Sequence, residues 1–236
     1  ASAAGYYGDT SETVTAENGK LGSNFLAFVC AHWESSTQSL ERIGVRRCII
    51  RLTPVLGSGG LLAQRGKPFK FFVGGTVGSG SQWVSAVHIE DVVLSIQFLV
   101  RTKSCHGTYN LSTPHPCRET EFASALGAAL RRPNWLPVPT WALQLLYREL
   151  AVEMTASSRI VPQKLLEEGL LRLLEEAERL QQRLSIEYEP ALFIEKTSEL
   201  KALLQKLNSP WLGANLDLGH VDVTGEDPCH AIRALK

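Results

Sequence analysis

Neither sign of charge prevails in this sequence: 24 Lys and Arg face 24 Asp and Glu over 236 residues. That balance argues against a protein dedicated to nucleic acid or to an anionic membrane surface. No apolar stretch approaches the ~20 residues that span a bilayer. No basic segment followed by an apolar one opens the chain as a secretory signal would. Close cysteine pairs are missing too. Cys30, Cys48, Cys105, Cys117 and Cys229 are scattered, odd in number and without CxxC spacing. This disfavours a disulfide framework or structural zinc site, and the expected compartment is a reducing cytoplasm. Only 20% of residues are charged and 11 are proline, so the chain is no disordered tail. What is present is a 44% hydrophobic fraction, enough for one ample core or two small ones. The neutral total also conceals an asymmetry: residues 1–140 hold 13 basic and 9 acidic side chains, and residues 141–236 hold 11 and 15.

Along the chain, helical and extended patterns alternate. Residues 1–8 (ASAAGYYG) read as a strand end entering a glycine-rich loop, and 9–24 as an exposed polar loop. Phe25, Phe28, Val29, Trp33 and Leu40 predict a helix over 25–43, with Gly44 as its stop. Residues 45–52 (VRRCIIRL) are a β-branched run and read as a strand. Gly57-Ser58-Gly59-Gly60 is a loop, and a short apolar run at 69–73 leads into GGTVGSG at 74–80. A strand is expected over 84–89, then a helix opened by Glu90 and Asp91 with Val92, Ile96 and Leu99 on one face. Asp91 there suits the positive end of the helix dipole. Further strands are expected at 107–111, 185–189 and 213–218. Further helices are expected from the cap Thr120 to 130, then over 140–154, 162–184 and 197–207. The fold class is therefore α/β with a mainly parallel sheet.

Five stretches, in order, carry a family resemblance: Ser2-Ala3-Ala4-Gly5-Tyr6-Tyr7-Gly8-Asp9, Arg51-x-Thr53-Pro54-Val55-Leu56-Gly57, Gly78-x-Gly80-x-Gln82-Trp83, Val87-His88-Ile89-Glu90-Asp91-Val92 and Gly107-Thr108-Tyr109-Asn110. Residues 1–122 resemble the extended short-chain dehydrogenase/reductase superfamily, in its atypical branch of nucleoside-diphosphate-sugar-epimerase-like proteins. Residues 123–170 resemble the helical segment that closes the same branch. The resemblance implies a Rossmann-like domain, NAD(P) as cofactor and a sugar nucleotide or similar small polar substrate, with no nucleic acid or membrane partner. It points to Ser2 and Tyr7 as catalytic residues beside the nicotinamide, and to Arg51, Gln82 and His88 as substrate contacts. For Tyr7 the alternative is packing, and for His88 a structural place at a strand end.

Two departures bear on chemistry. The family's pyrophosphate site is a glycine-rich turn between a strand and a helix, and it belongs upstream of Ala1. The stretch at 74–80 leads into a polar turn and strand, so it reads as a substrate-side loop. The superfamily's proton-transfer pair is a Tyr with a Lys four residues later, the lysine lowering the phenol pKa. Aligned on Glu34, those places hold Leu26 and Cys30, as the atypical branch also lacks the pair.

Residues 171–236 instead resemble a fragment of the sugar phosphate isomerase/epimerase family of metal-dependent (β/α)8 barrels. The carrying stretches are Leu184-Ser185-Ile186-Glu187-Tyr188-Glu189-Pro190, Leu212 to His220 (LGANLDLGH) and Gly225-Glu226-Asp227-Pro228. In a strand, Glu187 and Glu189 share one face. Asp217 is expected at the C-terminal end of the next strand, with His220 in the loop beyond, where barrels place their chemistry. The resemblance implies Glu187, Asp217 and His220 as ligands of a divalent metal, with Glu189 as a register alternative. Solvated strand-end carboxylates are the competing reading. Two strand–helix units are far fewer than the eight of a barrel, so a hybrid chain without an intact site is a third reading. Open sheet edges further predict self-association.

Overall fold

The computed structural model describes residues 1–148, 150–187, 194 and 196–235. It forms two compact units, 1–165 and 166–236. The front unit is built on a three-stranded parallel sheet, β1 (Ser2–Ala3), β2 (Cys48–Leu52) and β6 (Gly107–Leu111), in the order β1-β2-β6. Parallel neighbours need crossovers. The 3-10 turn Ala4–Tyr7, the polar loop and helix α1 (Phe25–Ser36) link the first pair. Between β2 and β6 lie β3 (Val55–Leu56), α2 (Gly60–Lys70), β4 (Trp83–Val84), β5 (Val87–His88) and α3 (Ile89–Arg101). β3 pairs β5 in parallel, and β4 pairs β7 (Cys117–Arg118) antiparallel. Helices α4 (Glu119–Leu130), α5 (Thr140–Tyr147), α6 (Leu150–Thr155) and α7 (Gln163–Leu180) follow.

Alternation divides the central sheet. Ile50 and Leu52 join Tyr109 and Leu111 in the cluster under Val92 and Leu99 of α3. Arg51 and Asn110, one residue out of phase, point to the opposite face. Burying apolar side chains of this size contributes roughly 1.5–3 kcal/mol each, so the α3 face is the stabilising one. The other is left to polar groups.

Several expectations change. The helix expected over 25–43 is two pieces: α1 ends at Ser36, and a 3-10 segment Gln38–Ile43 runs to Gly44, at φ 80°. The strand expected over 45–52 starts at Cys48. The one over 84–89 is broken into β4 and β5. The helix over 140–154 is interrupted at Arg148, at φ 51°. Helix α2 falls where a loop and a short apolar run are expected, because Gly66 and Pro68 inside it mask its periodicity.

In the back unit β8 (Leu184–Glu187) and β9 (Leu212–Asn215) form a parallel pair joined by α8 (Thr197–Leu207). Leu200, Val221 and Ala231 form its core with Ile186, Leu204 and Ala214. Helices α9 (Leu218–Val223) and α10 (Pro228–Ala234) complete it. Its described residues make one βαβ unit with α9, α10 and the greater part of α7, and no barrel. The strand expected over 213–218 ends at Asn215, and Asp217 begins a helix instead. Glu189 lies outside the described residues. Among them, no helix is long and apolar enough to cross a membrane.

Candidate functional site

The register of the central sheet aligns Ser2, Arg51 and Asn110 in one row across β1, β2 and β6. In-register residues of parallel strands face the same side, so a hydroxyl, a guanidinium and a carboxamide meet on the polar face. All three are buried, Arg51 to 4% exposure and Asn110 to 0%. A buried guanidinium requires a partner. Glu34 supplies it, accepting from Arg51 Nε and Nη2 at 2.8 Å each.

Glu34 is carried there by α1. Asn24 caps the helix by accepting from Ala27 N–H at 2.9 Å, and the buried residues Ala27 and Cys30 share the i, i+3, i+7 face with Glu34. Ser2 Oγ donates to Glu34 Oε1 at 2.8 Å. Burial pushes the Glu34 carboxyl upward, but the bonds from Arg51 and Ser2 outweigh it and hold the group below its ordinary value.

Tyr7 closes the row from the 3-10 turn after β1. Its hydroxyl donates to Asn110 Oδ1 at 2.7 Å and accepts from Arg51 Nη1 at 2.9 Å. The Arg51 guanidinium also stacks 3.3 Å from the Tyr6 ring centroid. Burial raises the Tyr7 phenol pKa against the opposing pull of Arg51, so at neutral pH it is an uncharged donor. Glu17, from the polar loop, accepts from Asn110 N–H at 3.0 Å and from Lys164 N–H at 3.2 Å. Burial pushes its carboxyl upward as well.

The polar loop is fastened to 157–161 by Thr10 N–H to Ser157 O and Thr15 N–H to Arg159 O, both 2.8 Å. Glu12 accepts from Arg118 and from Trp83 Nε1 at 2.9 Å. Those bonds hold its pKa at about 2. Between this loop and Tyr7 lies a cleft of about 770 Å³, lined by Tyr7, Asp9, Thr13, Asn18, Lys20 and Ser23 among others. Its wall mixes hydroxyl, amide and charged groups with apolar surface from Val14, Leu21 and Val152, which suits a small molecule with both polar and apolar parts.

Of the expected front-unit site residues, the structure joins Ser2, Tyr7 and Arg51. Gln82 and His88 make their contacts elsewhere. Gln82 Nε2 donates to Val77 O at 2.6 Å and its Oε1 accepts from Ser79 Oγ at 2.9 Å. It ties down the 74–80 loop, whose Val77 N–H bonds to Glu119, the partner of Arg65. His88 is exposed at the start of α3, where its Nδ1 accepts from Glu90 N–H at 3.4 Å. The expected dyad positions hold no acid or base: Leu26 packs on Gly5, and Cys30 is buried beside it.

Sequence reasoning assigns no chemical role to Glu17, Glu34 or Asn110. The signal for Glu34 is a carboxylate on a stripe whose other members are small and buried. Asn110 leaves none, because a polar residue out of phase with Tyr109 and Leu111 reads as the ordinary solvent face of an alternating strand. Glu17 leaves no signal, because its role depends on where a loop crosses the sheet edge.

The glycines at 74–80 serve packing. A Cβ on Gly75 would lie 1.9 Å from Leu136 O, because this segment runs beside 134–138 with Val138 N–H bonded to Thr76 O at 2.8 Å. The loop leads into β4, not into a helix. β3 does reach α2 through Gly57-Ser58-Gly59, but without the G-x-G-x-x-G spacing. The described residues therefore do not fit a dinucleotide pyrophosphate cradle.

In the back unit the structure brings Glu187, Asp217 and His220 together, one donor atom from each within 4.8 Å of the others. Asp217 Oδ1 caps α9 by accepting from Gly219 and His220 N–H groups at 2.7 and 3.3 Å. Those bonds hold its carboxyl below the ordinary value. Glu187 Oε2 accepts from Asn215 Nδ2 at 2.7 Å, and His220 Nδ1 lies 3.8 Å from Glu187 Oε1. His220 thus sits in the first turn of a helix, not in a loop past a strand.

The polar row lies toward the C-terminal ends of the parallel strands, where open α/β sheets place their ligands. The chain is 39% identical over 170 residues to the Arabidopsis thaliana protein "Epimerase family protein SDR39U1 homolog, chloroplastic", covering 72% of the chain and 49% of the relative. It is 33% identical over 170 residues to "Epimerase family protein YfhF" of Bacillus subtilis, covering 72% and 56%. The solved human epimerase family protein SDR39U1 (isoform 2) with NADPH superposes with a TM-score of 0.66 at 25% identity, over 71% of this chain and 58% of that one. The nucleoside-diphosphate sugar epimerase from Corynebacterium glutamicum shares the fold at 21% identity and a TM-score of 0.53, over 99% of this chain and 42% of that one. No protein-family model matches the chain. The chain spans about half the length of the curated relatives it matches. Over that span it is similar to the epimerase family proteins and shares the α/β, Rossmann-like fold of the solved human one. The comparisons give the barrel reading of the back unit no support.

Proposed function

We propose that this chain carries the substrate side of an NAD(P)-linked epimerase or reductase that acts on a sugar nucleotide or a similar small polar molecule. Residues 1–122 are the sheet-bearing part of that unit, and 123–170 its closing helical segment. The carrying observation is the row Ser2–Arg51–Asn110, closed by Tyr7 at the wall of the cleft. In this reading Tyr7, with both sides of its hydroxyl engaged and Gly19 packed on its ring, is a fixed neutral phenol that holds the wall of the cleft. Arg51 acts through it as a positioning residue, and Ser2 holds Glu34. A nicotinamide would supply hydride transfer when bound. These residues shape and orient the substrate's side of the pocket.

The division into sides is testable. Titrating the 236-residue chain with NADPH while following nicotinamide fluorescence should give no saturable rise. A saturable rise would overturn the assignment of these residues to the substrate side alone.

A second reading concerns the back unit, and the clustering of Glu187, Asp217 and His220 favours it. Two carboxylates and an imidazole suit Mn²⁺, Mg²⁺, Co²⁺ or Zn²⁺, and the helix-cap bonds of Asp217 are both made to Oδ1. These three residues would hold the ion as a Lewis acid. Calorimetry with Mn²⁺ should show binding that Glu187→Ala with Asp217→Ala abolishes; equal heats in both proteins would end the reading.

A further inference from the structure

The neutral charge total does not describe every face. Residues 42–89 contain no Asp or Glu, and neither do residues 122–148. These two segments meet at the ends of α2 and α4, where a Cβ on Gly127 would lie 3.3 Å from the Phe69 ring. Just past α2 the chain turns: Phe72 N–H donates to Phe69 O at 2.9 Å, and Phe72 takes φ 63°. A bulky residue is a rare occupant of that left-handed region. The turn sets Phe71, Phe72 and Val73 outward, 76%, 55% and 41% exposed. Trp135 joins them at 62% exposure, its Nε1 donating to Phe72 O at 2.8 Å. Contiguous apolar surface of this kind marks an interaction site. Cations adjoin it: Lys67 and Lys70 in the last turn of α2, Arg131 and Arg132 just past α4. All four are exposed, and the Arg132 guanidinium lies 4.6 Å from the Phe72 ring centroid. Among the described residues none of the four is paired with a carboxylate, whereas Arg65 nearby is engaged by Glu119. Charge and relief choose the occupant. Protruding rings bordered by lysine and arginine match a bilayer surface, where anionic headgroups overlie acyl chains. A rigid acidic partner would need a pocket shaped to each ring, whereas lipid deforms around them.

We infer that the tip formed by the ends of α2 and α4 docks on an anionic lipid bilayer. Phe71, Phe72 and Trp135 enter the boundary between headgroups and acyl chains, and the four cations pair with lipid phosphates. This face departs from the expectation of no membrane partner.

Flotation of the full chain with lipid vesicles tests this. The wild type should float with vesicles of equal parts phosphatidylcholine and phosphatidylglycerol, and stay behind with phosphatidylcholine alone. Phe71→Ser should weaken binding about tenfold or more by removing a buried ring. Lys67→Gln with Lys70→Gln should weaken it about thirtyfold, each cation near an anionic surface contributing about fivefold. Ile43→Ser is the control, an equally exposed apolar residue (74%) on another face, and should bind as the wild type does. Should a variant fail to fold, the wild type still decides: vesicles with brominated acyl chains should quench its tryptophan emission. No flotation and no quenching with the anionic vesicles would overturn the inference. So would binding that is indifferent to phosphatidylglycerol, or equal in Phe71→Ser, the lysine variant and the control.

Discussion

Arg51→Ala should lower the stability of the front unit by about 3–5 kcal/mol, the cost of leaving one member of a buried ion pair unmatched. Arg51 and Glu34 side chains are 5% and 10% exposed, so water cannot take over solvation of the carboxylate. The same change leaves the Tyr7 hydroxyl without a donor and removes the cation stacked on Tyr6. Urea unfolding followed by tryptophan fluorescence reads the effect. Trp33, Trp83, Trp135 and Trp141 lie in the front unit and Trp211 in the other, so a Trp211→Phe background isolates the signal. Replacing both partners, Arg51→Met with Glu34→Met, should cost much less than Arg51→Ala, since no buried charge is then orphaned. Equal losses would refute a paired charge.

The acid limb carries the same signature. Glu34 titrates below its unfolded value, so its contribution is present above that value and is lost as pH falls through the folded one. Glu17 is raised by burial, so its sign is opposite: its contribution is complete below the unfolded value and is lost as pH rises through the folded one. Arg51→Ala leaves burial as the main influence on Glu34, which turns the first of these dependences toward the sign of the second.

Gly75→Ala should be nearly as damaging, at about 3 kcal/mol, the upper end of what overpacking costs. The added methyl would meet the Leu136 carbonyl oxygen at 1.9 Å and its carbon at 2.3 Å. These are backbone atoms, so no rotamer change relieves the contact. The 74–80 and 134–138 segments must separate, breaking the bonds from Trp135 and Leu136 N–H to Gly74 O, each 3.0 Å. Gly59→Ala is the control, because nothing lies within 4 Å of its Cβ position. A Gly75→Ala unfolding midpoint equal to that of the control would contradict the close approach.

These two sites show what a sequence discloses. Of the central strands, β2 was legible as a β-branched run, and the five ordered stretches led to Ser2, Tyr7 and Arg51. The partners that give Arg51 its meaning were not. Glu34 is 17 residues away and Asn110 is 59, and only folding sets them in one row. Helix α2 was hidden by its own Gly66 and Pro68. In Asn215-Leu216-Asp217-Leu218 an alternation typical of a strand conceals a helix cap, the Asp217 carboxylate being taken by the N–H groups of Gly219 and His220. The set Glu187, Asp217 and His220 nevertheless came together, because a helix started by Asp217 returns His220 to the end of β8.

The most direct test of the central claim is a ¹H–¹⁵N correlation spectrum of the chain titrated with UDP-glucose. The account predicts saturable shifts confined to the cleft, at Gly8 through Asn24 and in the Tyr7–Asn110 row. Shifts that never saturate, or that fall only outside those residues, would contradict a substrate site there.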